Sequence, residues 1–573
     1  MPDQSQTSPS AFVCEGGLIK SRSTFIMQPG QALELLNFEP DIEGGYRRIN
    51  GFRKHCNHIV PQTSASSEKV LMVAFFNNNI VAARGEKIFS SASTELATAI
   101  TSSATMSGSG TITVDSTTGF SSSGTLQIDS EIFTYTGVTS TTFTGVTRAT
   151  SSTTAAAHVV DSAVSESWTE RDTGRTNAGK YTFERFNFDG NEKIIVTDGT
   201  NDPTVFNTSF SATDVTESTV EGAKFVTAFK SHMFYAGMSS TPQTLVFSQP
   251  FDEDAFNSGS GAGSIKVDDT IVGMKAFRGD LFVFCENRIF KLTGSSSSDF
   301  AITPVTRNIG CINGDTIQEF AGDLIFLGPD GLRTVAGTAR IGDVELGTIS
   351  ANVQSIFDEN LVDAALFESV VIPDKTQYRI FFAKDTVGED NTRGVICVMK
   401  GQNFEFAELR GIKPSATDTF VEAGDVLVLH GGYDGYIHRQ EKGNDFDGTK
   451  VSGRYRSPDL TFGDPGIRKH MQRVIVNYKP ESAINADMFV RYDYEDRNSS
   501  RPAAYPLDSE DVVAIYGTST YGTPTYGGAS QPLLRQSVEG SGFAVALRVN
   551  DNATTAPYSL KGFQLEYQLG ARR

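Results

Sequence analysis

Phe277-Arg-Gly-Asp-Leu-Phe-Val-Phe284 is followed 43 residues later by Phe320-Ala-Gly-Asp-Leu-Ile-Phe-Leu327. The first copy continues to Asn287-Arg288-Ile289-Phe290 and the second to Asp330-Gly331-Leu332. Each reads as a strand, a tight turn and a second strand, because Gly, Asp and Asn tolerate the backbone angles a two-residue turn needs. Phe229-Lys-Ser-His-Met-Phe-Tyr-Ala236 is a third copy, 48 residues upstream of Phe277. An early copy runs from Phe76 to Ile88-Phe89, and a late one from Ala423-Gly-Asp-Val to Asp434-Gly435-Tyr436-Ile437. Weaker units lie at Phe188–Phe206 and Val370–Val398. Meanders repeating every 40–50 residues predict a β-propeller, since one small sheet cannot cover both its faces and stacking round an axis buries them. The count gives six or seven blades. Phe229, Phe277 and Phe320 open the same strand position and are expected to be buried.

Composition agrees with an all-β chain. Among 573 residues there are 54 Gly, 40 Phe and 17 Tyr, and only 20% of residues are charged. That is enough apolar surface for a core and too long a chain for one domain. The one helical pattern is at Ser350–Phe367. Five well-separated cysteines imply no disulfide framework. Met1–Ser10 is polar, without the features of a signal peptide. No apolar run is long enough to span a bilayer as a helix.

Four regions follow. Residues 1–60 read as an N-terminal arm and interface segment. Residues 61–102 and 166–442 hold the propeller. Residues 103–165, dense in Ser and Thr but carrying Thr111-Ile-Thr-Val114 and Glu131-Ile-Phe-Thr-Tyr135, read as a small β-domain inserted in an early blade. Residues 443–573 read as a β-sandwich-like domain, with a Tyr/Gly-rich loop at Tyr516–Gly528.

Chemistry-bearing motifs are few. There is no phosphate-cradling loop, zinc-protease helix signature or serine-nucleophile elbow. His55-Cys56-Asn57-His58 lacks a second ligand pair for zinc. Asn444-Asp-Phe-Asp-Gly448 resembles the start of a calcium loop but has Arg454 where the last carboxylate should stand. Asp252, Glu253 and Asp254 adjoin without the separation that marks a glycosidase pair. No catalytic, cofactor or metal residue is therefore assigned. The clearest local charge reversal is Arg47, Arg48, Arg53 and Lys54, read as an interface anchor. A net charge of −19 argues against affinity for duplex DNA built on phosphate neutralisation.

Three features together resemble a known family. They are Gly16-Gly17-Leu18, Pro29-Gly30-Gln31-Ala32, Leu36–Pro40 and Gly44–Phe52; the propeller-like repeat; and Gly432–Ile437, Asp445–Gly448, Ser457-Pro458, Phe462–Asp464 and Arg468-Lys469. The chain is similar to the tail nozzle (tail tubular protein B, or tail hub) of short-tailed, podovirus-type bacteriophages. That resemblance implies a structural virion protein, not an enzyme. It implies a ring of six copies that continues and closes the DNA channel and supports ejection. The implied partners are further copies of itself, a tail adaptor ring protein, tail fibre proteins and DNA that passes without specific binding. The implied location is the virion tail, after assembly in the host cytoplasm. The alternatives are a receptor-binding tail adhesin and a propeller-fold polysaccharide-degrading enzyme.

Overall fold

The computed structural model describes residues 8–62, 69–176, 179–335, 348–383, 392–401, 403–422, 424–481, 484–495, 501–508 and 533–572. Strand accounts for 51% of the residues and helix for 7%, so the chain is all-β, in a propeller-like arrangement. The Tyr516–Gly528 loop lies outside the described residues.

Among the described residues, seven antiparallel meanders follow one another along the chain. They span residues 72–172, 182–214, 225–266, 271–306, 318–334, 368–409 and 414–440. The repeat is explained by the hairpin that joins the first two strands of a meander. Phe76 pairs with Asn79, Phe229 with His232, Phe277 with Asp280 and Phe320 with Asp323. Between each pair sit two residues with positive φ: Asn77-Asn78, Lys230-Ser231, Arg278-Gly279 and Ala321-Gly322. Two successive left-handed residues match the twist of paired strands, which is why this short turn recurs.

First strands of successive meanders lie side by side. Met72–Phe76 touches Thr182–Asn187, which touches Phe225–Phe229, which touches Ile271–Phe277. The succession runs through the short 3₁₀ turn Gly314–Thr316 to Glu368–Ile372, then Pro414–Glu422, and back to Met72–Phe76. Phe229 and Phe320 are buried between sheets. Phe277 is only half-buried, at the rim, with the Arg278 guanidinium 5.1 Å above its ring. The expected full burial fails there although the turn is the same, because Phe277 packs only partly against the neighbouring cluster. Phe277→Ala should therefore cost about 1–2 kcal/mol, below the range for a fully buried Phe. Thermal melts of Phe277→Ala and Phe320→Ala side by side check this, with the larger loss expected at Phe320.

The helical pattern at Ser350–Phe367 becomes three short pieces: 3₁₀ at Ile349–Val353, α-helix at Gln354–Asp358 and 3₁₀ at Leu361–Leu366. Val353, Ile356 and Phe357 are buried against the Gly331–Thr334 side of the core.

Residues 8–60 are not an arm. Ser8–Val13 pairs with the last strand, Tyr558–Arg572, which also pairs Tyr46–Arg48 and Ile467–Pro480. Phe52–Lys54 adds to Ile437–Gln440 as the fourth strand of the last meander. Glu34–Leu36 joins the sixth meander to a second C-terminal sheet through Glu408 and through Gly453–Arg456. Asn37, at φ 52°, then turns the chain so that Phe38–Pro40 enters the other C-terminal sheet. Its amide holds the bend, donating to Ser452 O at 2.9 Å and accepting from Arg410 N at 2.8 Å. One apolar cluster, including Phe38, Tyr46, Tyr455, Val490 and Phe563, fills the space between the two C-terminal sheets.

A Ser/Thr-rich module enters between the third and fourth strands of the first meander. Lys87–Glu95 pairs with Thr169–Asp172 through its first half and with Ala163–Glu166 through its second. The module's own cluster includes Ile112, Leu126, Phe133, Phe143 and Val146, and also takes in Leu96 and Ile100. A boundary at 103 would thus divide one core. Glu131, fully buried, accepts from Arg148 at 2.8 and 2.7 Å and lies 2.9 Å from His158 Nε2. Burial opposes its ionisation, but Arg148, the Ala156 N–H and His158 outweigh it and hold the carboxyl down at about 2. Burial likewise opposes the charge on His158, and Asp129 and Glu131 reverse that, raising it above 6.5. A raised histidine stabilises fully below about 6.5 and loses its contribution as pH rises through the folded value. Amide exchange in the module should therefore quicken from pH 6 to pH 9 relative to the ring, after correction for intrinsic exchange. His158→Gln should abolish that pH dependence.

Candidate functional site

The axis of the ring is a polar cavity of about 270 Å³ lined by six of the seven first strands or the residues flanking them. Inner strands converge without sharing a continuous backbone ladder, so side chains join them. Thr417 Oγ1 donates to Ser369 O and Thr419 Oγ1 to Val371 O, both at 2.8 Å. Ser369 Oγ donates to Asp315 O at 2.7 Å. Arg185 donates to Phe75 O at 2.7 Å and pairs with Asp418, whose carboxylate also accepts from Phe75 N at 2.8 Å. Lys180 bridges Asp315, at 3.1 Å, and Glu368.

Burial pushes the Glu368 carboxyl up to about 8, with Lys180 pulling the other way. Burial also raises Glu184 and Asp418, against the opposing charges of Lys275 and Arg185 respectively. Asp315, Glu368 and Asp418 each bond a cation from a neighbouring segment, which holds the hub together. So small a space, crossed by these pairs, cannot pass a nucleic-acid strand. A DNA channel would have to be enclosed by several copies of the chain.

Two of the four cationic residues singled out in the sequence, Arg47 and Arg48, turn inward. Arg48 is completely buried; it donates to Ala553 O at 2.8 Å and to Thr555 O, and lies 3.5 Å from Asp551. Arg47 binds Glu481 at 2.6 and 2.8 Å and Glu39 at 3.2 Å. Arg53 lies 3.9 Å from Asp445, and Lys54 lies 3.6 Å from Asp447 and 4.1 Å above the Tyr436 ring. The expectation that all four anchor an interface is therefore corrected for two of them: Arg47 and Arg48 tie the N-terminal segment to the C-terminal part of the chain, and only Arg53 and Lys54 keep substantial exposure. The reason is topological, because strand Phe52–Lys54 lies beside hairpin Asp445–Lys450.

That hairpin accounts for the calcium-like motif. Asp447 and Gly448 have φ 47° and 91°, and Gly448 N donates to Asp445 Oδ1 at 2.7 Å. It is a tight turn. Among the described residues no group of three or more His, Cys, Asp or Glu could hold a metal ion. His55 is buried, and burial with the nearby charges of Arg439 and Lys442 depresses it to about 3. The five cysteines are buried free thiols.

Sequence reasoning missed a larger buried network. Glu39 accepts from Arg47 at 3.2 Å, Lys375 at 2.6 Å, Gln377 at 3.0 Å and Arg379 at 3.3 Å. Arg379 is completely buried and reaches Glu441 at 2.5 Å; Lys375 binds Glu441 as well. Burial opposes Glu441's charge, but Arg379 and Lys375 hold it far below the carboxylate range. The network joins the N-terminal segment, the sixth and seventh meanders and, through Arg47, the loop at Glu481. The only hint in sequence is the run of acidic and basic residues inside strand patterns.

No family model matches the chain, and no curated protein does. Solved structures overlap it loosely. The extracellular domain of a hybrid two-component system from B. thetaiotaomicron is 8% identical, with a TM-score of 0.35, over 78% of this chain and 44% of that one. The chain thus spans less than half of that protein's length. BamB from Moraxella catarrhalis is 10% identical, with a TM-score of 0.31, over 64% of this chain and 93% of that one. An exo-beta-1,3-galactanase from Phanerochaete chrysosporium is 8% identical, with a TM-score of 0.23, over 91% of this chain and all of that one. Overlaps this loose carry no argument about activity. No helix among the described residues is long and apolar enough to cross a membrane.

Proposed function

We propose that this chain is the nozzle subunit of a short-tailed bacteriophage tail, a structural protein whose copies assemble into a ring round the DNA path. On this reading the seven meanders are seven blades, the last closed by the N-terminal strand Phe52–Lys54. The observation that carries the proposal is that separate stretches bearing the resemblance meet in one junction. Tyr46 Oη donates to Gly30 O at 2.7 Å and accepts from Gly17 N at 3.0 Å. Leu18 and Ala32 form a bridge, and Leu35 pairs with Tyr455 in the C-terminal sheet. Phe52 stacks on Phe446, 5.3 Å between ring centres. Motifs with no catalytic content thus serve to fix the propeller to the C-terminal sheets. A closely packed junction and a net charge of −19, which disfavours phosphate, suit a conduit wall.

Negative-stain microscopy of the purified protein, alone and with an adaptor ring, tests the proposal. A ring with a central bore is expected, together with no sequence-selective DNA shift. A stable trimer would favour the adhesin. A second reading, polysaccharide cleavage, is favoured by one observation: a carboxyl held up at about 8, at Glu368, inside the axial cavity. Release of reducing sugar by wild-type protein, lost in Glu368→Gln, would replace the nozzle with that enzyme.

A further inference from the structure

A cleft of about 810 Å³ lies between the sixth meander, hairpin Asp445–Lys450 and the C-terminal sheets. Its walls carry five cations, Lys20, Arg393, Arg410, Lys450 and Arg454, and two carboxylates, Glu34 and Glu408. Glu408 is shared by Arg393, at 3.0 Å, and Arg410, at 3.1 Å, and Glu34 lies 3.8 Å from Arg454. Arg393 also meets Glu359 at 2.6 Å. Lys20 and Lys450 are exposed. Leu36, Phe52 and Phe446 contribute an apolar wall. In a chain of net charge −19 the cleft walls thus carry more cations than carboxylates, which complements a partner segment that is acidic and carries an apolar anchor.

The chain itself presents such a segment. In the third meander, the loop between Thr244–Phe247 and Gly263–Lys266 projects Phe251, 57% exposed, followed by exposed Asp252 and Asp254. The loop is pinned in place. Phe251 N donates to Ser231 O at 2.7 Å, Tyr235 Oη donates to Glu253 O at 2.6 Å, and Glu253 pairs with Lys193 at 2.5 Å. The third and sixth meanders are three places apart in the cyclic order of first strands. Tip and cleft therefore sit on different sides of the ring, as a head-to-tail contact between copies requires.

We propose that the cleft receives the Phe251–Asp254 tip of a second copy of this chain, Phe251 meeting the apolar wall while Asp252 and Asp254 meet Lys20 and Lys450. The hydrogen bond and like charge of Asp252, with burial, hold Asp254 above the usual carboxylate range, a repulsion that a partner's cations relieve. The contact would supply one subunit interface of the proposed ring and in that respect rests on the nozzle reading.

Sedimentation of the full chain over a concentration series, at low and high salt, tests it. Wild-type protein should self-associate reversibly, and less at high salt. Lys20→Glu/Lys450→Glu and Asp252→Lys/Asp254→Lys should each weaken association at least about tenfold. Mixing these two variants should restore it, because each then offers the other a complementary pair. Failure of the mixture to associate overturns the proposal, as does wild-type association in either variant alone. Wild-type protein that stays monomeric while the cleft binds heparin also overturns it, assigning the cleft to an anionic polymer. Should a variant misfold, oxidation of Phe251→Cys/Thr449→Cys in an otherwise native chain gives a second readout. Covalent oligomers are expected, and their absence counts against the contact. A ring built through another face would sink this interface and leave the nozzle reading intact, whereas tip-in-cleft association without adaptor docking would do the reverse.

Discussion

Glu39→Ala should destabilise the protein by about 3–5 kcal/mol, the cost of leaving buried cations without their partner. Glu39 is nearly inaccessible and is shared by Arg47, Lys375 and Arg379, with Gln377 completing its shell. Glu441 cannot replace it, because it is already committed to Lys375 and Arg379. Glu39→Gln keeps the shape and one acceptor oxygen and should cost less. The single tryptophan, Trp168, is a natural probe: its Nε1 donates to His58 O at 2.9 Å, and it packs on the cluster between the first and seventh meanders. Guanidinium unfolding followed by Trp168 fluorescence should show a clear fall in midpoint for Glu39→Ala. An unchanged midpoint would mean that the network contributes nothing to holding the N-terminal segment against the ring.

Arg148→Ala should cost a similar amount, about 3–5 kcal/mol, yet the loss should be confined to the inserted module. Arg148 is the bidentate partner of fully buried Glu131 and also donates to Thr101 O, Ala104 O and Ala156 O at 2.9, 3.1 and 2.6 Å. Removing it strands a carboxylate and three carbonyls together. Because the module has its own apolar cluster, hydrogen exchange should rise across residues 96–164 while the other meanders keep their protection. Loss of protection throughout the ring would show that the module and the propeller unfold as one unit.

The repeat was legible because its cause is local. A two-residue turn needs positive φ at both positions, so Asn77-Asn78, Arg278-Gly279 and Ala321-Gly322 leave a trace in sequence wherever the same hairpin recurs. The strands on either side alternate or run apolar for an equally local reason, the two faces of a sheet. The inserted module was visible on the same terms. Phe277 shows the limit: an identical position in the repeat ends half-exposed, because burial depends on what the neighbouring sheet brings over it.

The fate of charge was decided by the tertiary structure. Arg47, Arg48, Arg53 and Lys54 are clustered in sequence and read there as an interface anchor. Their partners Glu481, Asp551, Asp445 and Asp447 lie some 400–500 residues away along the chain. Nothing within a short window says whether a cation meets water or a distant carboxylate. The cationic cleft has the opposite history: Lys20, Arg393, Arg410, Lys450 and Arg454 are scattered in sequence and converge only because Glu34–Leu36 links the sixth meander to the C-terminal sheets. The sequence by itself determined the strands, their turns and the repeating unit, since those follow from backbone angles and alternation over a few residues. Only the tertiary structure decided which charges became cement and which surface stayed open, since long-range pairing brings together groups whose interaction energy depends on separation and burial rather than on order along the chain.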